Sequence, residues 1–136
     1  MTVTKIDAAV QLKNRVSSIQ LVIDGAGNPP VPGAQGQFAL PAGWTQGATI
    51  TGWVLTADQP GSAVIDIRRG TYAGFPTVAS VTGSSPPTLA SAQKNEQLAV
   101  GVDWMPALNA GDVLEFVLLS VTSCTRLNLS LNITIP

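Results

Sequence analysis

Asp66 and Glu115 both fall in segments with strand-like alternation, and a pair of carboxylates is what a glycosidase uses as its acid and its base or nucleophile. Nothing in the sequence fixes their separation. The chain contains no histidine, so Ser-His-Asp and Cys-His nucleophilic centres, imidazole proton transfer and His-ligated metal sites are excluded. Asp24, Asp58, Asp66, Asp103 and Asp112 offer oxygen ligands of the kind calcium takes. None of their spacings matches a calcium-binding loop, and most stand where turns favour Asp. Cys124 is the single cysteine, so neither an internal disulfide nor a multi-thiolate zinc site can form, and it reads as a small buried apolar residue. The expectation is a protein that does no covalent chemistry and needs no metal or cofactor.

The remaining candidates concern binding. Tyr72, Phe75, Trp44, Trp53 and Trp104 are the residue types on which sugar rings stack, although each ring also gains much by burial and aromatics make up only 5% of the chain. Tyr72 and Phe75 lie in a long stretch from Gly70 to Gln97, rich in small polar residues and proline, and are the candidates for an exposed recognition loop. Asn128-Leu129-Ser130 and Asn132-Ile133-Thr134 match the glycosylation pattern but fit better as the polar row of a strand. Gly25-Ala26-Gly27 is too short for a phosphate-binding fingerprint and reads as turn chemistry.

The elements that must position these residues are strands. From Arg126 to Ile135, Leu127, Leu129, Leu131, Ile133 and Ile135 alternate with polar residues, which puts one row in a core and the other in water or a polar interface. From Asp112 to Val121 both rows are largely apolar, with Leu114, Phe116 and Leu118 in one and Glu115 interrupting the other. A strand apolar on both faces must be covered on both. One cover is the domain's second sheet; the other is assigned to a neighbouring subunit, with Leu114, Phe116 and Leu118, or the opposite row, as candidate interface residues. Ala48 to Ala57 and Ser62 to Arg68 read as a hairpin across Asp58-Gln59-Pro60-Gly61. Val16 to Asp24, Gln35 to Leu40 and Leu98 to Trp104 supply further strands, while Asp24 to Ala34, with its glycines and prolines, reads as a surface loop. The fold class is all-β, a jelly-roll-like β-sandwich of about seven or eight strands. Residues 1-20 read as an N-terminal arm or attachment segment and 21-136 as the sandwich domain.

Composition sets the surroundings. In 136 residues the apolar share is an ordinary 45%, but charged residues are only 11% and the net charge is -1, against roughly 25% charged residues in an average soluble domain. A cationic footprint for nucleic acid is missing, so no nucleic-acid partner is expected. No stretch approaches the ~20 apolar residues that span a bilayer, and no apolar segment of signal-peptide length opens the chain. The expectation is synthesis in a cytoplasm and no membrane insertion. A surface this neutral favours association.

Several blocks carry a resemblance. Leu55-Thr56-Ala57-Asp58-Gln59-Pro60-Gly61-Ser62-Ala63-Val64-Ile65-Asp66-Ile67, running on to Gly70-Thr71-Tyr72-Ala73-Gly74-Phe75-Pro76, resembles a module of tailed-bacteriophage virion proteins, notably tail fibres and other appendages. Val22-Ile23-Asp24-Gly25, Ser85-Pro86-Pro87-Thr88-Leu89 and Leu108-Asn109-Ala110-Gly111-Asp112-Val113-Leu114 are similar to the same module. The resemblance covers most of the chain from about Leu21 onward. It implies a non-enzymatic virion surface protein, either a capsid decoration (cement) protein or a small tail-fibre or receptor-binding component. It further implies a homotrimer, partnered by a major capsid protein or a tail or baseplate protein, with a host-surface glycan as a candidate ligand. The alternative from the residues is a soluble, lectin-like glycan-binding module on the same fold.

Overall fold

In the computed structural model, which describes residues 15–136, the long alternations of the sequence become eight β-strands. They are β1 (Arg15–Asp24), β2 (Gly33–Ala39), β3 (Ala48–Gly70), β4 (Ala79–Ser80), β5 (Thr88–Gln97), β6 (Ala107–Leu108), β7 (Val113–Thr122) and β8 (Arg126–Ile135). The described residues contain no helix, and the fold is an all-β sandwich.

β3 organises the architecture. It is one strand of 23 residues, where the sequence suggests a hairpin reversing at Pro60-Gly61. Its first half pairs with β8, from Thr49↔Thr134 to Ala57↔Leu127, and its second half with β7, from Ser62↔Thr122 to Gly70↔Val113. On its other side β5 accompanies both halves, with register shifts between Thr56 and Ala63. The ladder is thus interrupted where Pro60 cannot donate a hydrogen bond, and the strand bends there without turning back. The reversal lies opposite, at Ser123 to Thr125 between β7 and β8. Gly61 permits the close approach: a Cβ there would meet Thr122 O at 2.3 Å and Cys124 Sγ at 2.6 Å.

The bend folds one eight-stranded sheet into two layers. The first layer runs β1-β8 and the front half of β3; the second runs β2-β7 and the rear half. Between them lies one core, to which β8 contributes Leu127, Leu129, Leu131, Ile133 and Ile135, β1 contributes Ile19 and Ile23, and β3 contributes Ile50, Trp53, Leu55, Ile65 and Ile67. Each fully buried side chain of this size stabilises by ~1.5 to 3 kcal/mol. Trp53 is buried with its indole N–H lacking a hydrogen-bond partner among the described residues.

The sequence-based division of the chain shifts. Residues 15–20, expected to belong to an arm, pair one for one with β8 from Arg15↔Ile135 to Gln20↔Ser130. Residues 1–14, which carry the rest of that expectation, lie outside the described residues. Leu98 to Trp104 is not a strand but a turn-rich connection. The expected loop of 70–97 holds β5, whose single buried apolar side chain, Leu89, leaves little alternation to read.

Candidate functional site

The outer face of the first layer is built from the polar rows of three strands. β1 presents Val16, Ser18, Gln20 and Val22; β8 presents Asn128, Ser130, Asn132 and Thr134; β3 adds Thr49, Val54 and Thr56. All are exposed or half-buried. Charge enters only at the margins, through the exposed pair Arg126 Nε and Asp24 Oδ2 at 3.7 Å and through Lys94 and Glu96 on β5. The two glycosylation-like asparagines, Asn128 and Asn132, stand in this polar row. The result is a broad neutral surface of hydroxyls and amides.

A second feature lies beside the other layer. Tyr72, Phe75, Gln37, Ala39 and Val113 line an open groove of about 520 Å³. Tyr72 is 79% exposed and Phe75 half-buried, so the residues expected to mark an exposed loop border one cleft. Gln37 Nε2 donates to Glu115 Oε2 at 3.1 Å across the β2–β7 pair. The tryptophans do not join them: Trp53 and Trp104 are buried in the core and Trp44 packs against it. Trp104 Nε1 donates to Ser85 O at 3.0 Å.

The carboxylates serve the fold. Asp66, on the outer face of β3 yet buried, accepts from Ser80 Oγ at 2.7 Å and Thr82 Oγ1 at 2.8 Å on one oxygen and from Arg68 Nε at 3.0 Å on the other. Asp112 holds the turn before β7: Asn109 N donates to it at 2.8 Å and Arg69 Nη1 lies 3.2 Å away. Asp58 sits at the bend and receives the Thr125 hydroxyl, Thr125 N at 2.9 Å and Arg126 N at 2.9 Å, tying β3 to the β7–β8 turn. Those bonds, the Thr125 hydroxyl foremost, pull its pKa down to about 2. Asp103 accepts from Ser84 Oγ at 2.5 Å and Ser84 N at 2.7 Å, which hold its carboxyl below the usual range. Asp66 and Glu115, the imagined glycosidase pair, are thus engaged separately. Among the described residues no three Cys, Asp or Glu side chains gather to hold a metal ion. Cys124 is a free, buried thiol, and burial raises its pKa.

One expectation is corrected. Leu114, Phe116 and Leu118, assigned to a subunit interface, are buried inside the domain and belong to its core. The opposite row is also largely closed within one chain, since Val113 and Val117 are buried and Glu115 and Val121 half-buried, with Leu119 at 47% exposure. β7 lies between β3 and β2 in the second layer, and on its outward side Val113 borders the groove shared with Tyr72 and Phe75.

No family model and no curated protein matches the sequence. Solved structures of similar shape include a carbohydrate binding module from glycoside hydrolase family 9 (Cel9A) of Ruminococcus flavefaciens FD-1, at TM-score 0.48 and 12% identity over 88% of this chain and 97% of that one. They also include a chain of infectious bursal disease virus, Gx strain, at TM-score 0.44 and 17% identity over 90% of this chain and 32% of that one. A third is a chain of the cyanophage Pam1 capsid asymmetric unit, at TM-score 0.37 and 12% identity over 90% of this chain and 85% of that one.

Proposed function

We propose that the chain is a non-enzymatic structural protein displayed on the surface of a bacteriophage particle, as a capsid decoration protein or a small tail-fibre or receptor-binding component. The observation that carries this reading is the neutral outer face of β1, β8 and β3, where hydroxyls, amides and three valines form a surface with charge only at its margins. Such a face packs against another protein without stranding buried charges. The sequence resemblance of residues from about 21 onward to phage virion modules supplies the class of particle. The engagement of Asp58, Asp66, Asp103 and Asp112 in fold-holding bonds supports a role without catalysis. The homotrimer that the resemblance implies is not part of this reading, because the β7 row that argued for it from the residues is in the core. The partners in this reading are a major capsid protein or a tail or baseplate protein. Immunogold labelling of intact particles with an antibody to the folded domain tests it: gold on capsids or tails is expected, and unlabelled particles refute it.

A second reading, a soluble glycan-binding module, is favoured by the groove that sets exposed Tyr72 and half-buried Phe75 beside the Gln37 amide. A flat ring next to an amide suits the apolar face and hydroxyls of a pyranose. Screening of the pure protein on a glycan array, followed by Tyr72→Ala, tests it: binding lost in the variant supports the groove, and no binding by the native protein removes this reading.

A further inference from the structure

We infer that β1 joins two copies of this chain edge to edge, as an antiparallel pair about a two-fold axis centred on Ile19. Among the described residues β1 is the terminal strand of the first layer, paired on one side with β8 over all ten residues without a register shift. Among the described residues, no backbone hydrogen bond from Val16 to Ile23 leads anywhere but into that pairing. A long, regular open edge is a template for another strand, and proteins that stay single usually blunt it with proline, lysine, a bulge or an inward charge.

The other edges of this molecule carry those devices. β2 has a register shift between Ala34 and Gly36 and follows Pro32, while β5 has register shifts and carries Lys94 and Glu96. β1 has none of them between Val16 and Ile23. Its outward row instead exposes Val16 at 80% and Val22 at 61%.

A second copy fits this edge better than a generic peptide because the strand is self-complementary. A two-fold axis normal to the sheet keeps inward residues inward, so residues pair by like parity. Centring on Ile19 places Val16 of one copy opposite Val22 of the other, twice, and Ser18 opposite Gln20. The exposed valines then cover one another as cross-strand pairs. A net charge of -1 adds little repulsion between copies. This inference does not rest on the virion reading.

Sedimentation of the full chain at micromolar concentration tests it, together with two surface variants checked for a retained β-type circular-dichroism spectrum. The native protein is expected at twice the 14.0 kDa chain mass. Val16→Lys with Val22→Lys sets lysine against lysine in both pairs, and the mass is expected to halve. Val16→Lys with Val22→Glu sets lysine against glutamate in both pairs, and the doubled mass is expected to return. A native protein of single or triple chain mass overturns the proposal. So does a doubled mass that survives the lysine pair, or a folded charge-complementary variant that stays single.

Discussion

Replacing Asp66 by alanine probes the buried polar cluster that ties residues 80–82 to β3. The carboxylate accepts two short hydroxyl bonds, from Ser80 and Thr82, and an Arg68 contact whose guanidinium side is 39% exposed. Hydrogen bonds to a charged group contribute ~1.5 to 3 kcal/mol each, and the Arg68 contact adds well under ~1 kcal/mol because solvent screens it. Ser80 Oγ and Thr82 Oγ1 lie 3.2 Å apart and partly satisfy one another once the acid is gone, which trims the loss. The expected cost is about 3 kcal/mol, or about 10 °C in Tm for a domain of this size. Asp66→Asn keeps an acceptor for the hydroxyls and is expected to cost only about 1 kcal/mol. Urea denaturation measures both, and hydrogen exchange should show lost protection at Val81 N, which donates to Ile67 O at 2.9 Å. An alanine variant within about 0.5 kcal/mol of the native protein would refute the assignment, since that is the range of an unimportant surface change.

Leu131 stands in register with Ile19 on one side and Trp53 on the other and is fully buried, so Leu131→Ala is expected to cost ~2 to 5 kcal/mol in the same assay. Asp58 has a folded pKa of about 2 against an ordinary 3.8, so its stabilising bonds are fully present above the unfolded value and are lost as pH falls toward 2. A pH series of thermal melts should show a steeper acid loss for the native protein than for Asp58→Asn. Cys124, buried with a raised pKa, is expected to resist a thiol reagent in the folded protein and react fully in denaturant; rapid labelling of the native state would contradict its placement.

Strands with one buried face were legible because alternation reports it directly. β8 appears with the bounds read from the sequence, Arg126 to Ile135, and β1 and β2 lie within a few residues of their expected places. The Pro60-Gly61 pair misled because its chemistry serves a bend as well as a reversal, and only the pairing of β3 with both β7 and β8 distinguishes them. β5 was hidden for the opposite reason: a polar strand that buries only Leu89 has no apolar rhythm. The double apolar rows of β7 announced burial on both faces without saying what supplies it. Tyr72 and Phe75 were identified from their loop, but their meeting with Gln37 and Val113 depends on long-range pairing of β2 with β7. The open edge of β1 has no sequence signature at all, since edge position is a property of topology.

Quantitative mass spectrometry of purified phage particles from a lysate producing this chain tests whether the protein is a component of the particle. The protein is expected at a fixed ratio to the major capsid protein through successive purification steps, with hundreds of copies marking a capsid location and a few dozen or fewer a tail location. Loss of the protein from particles during purification, with the full amount recovered in the soluble fraction, would contradict it.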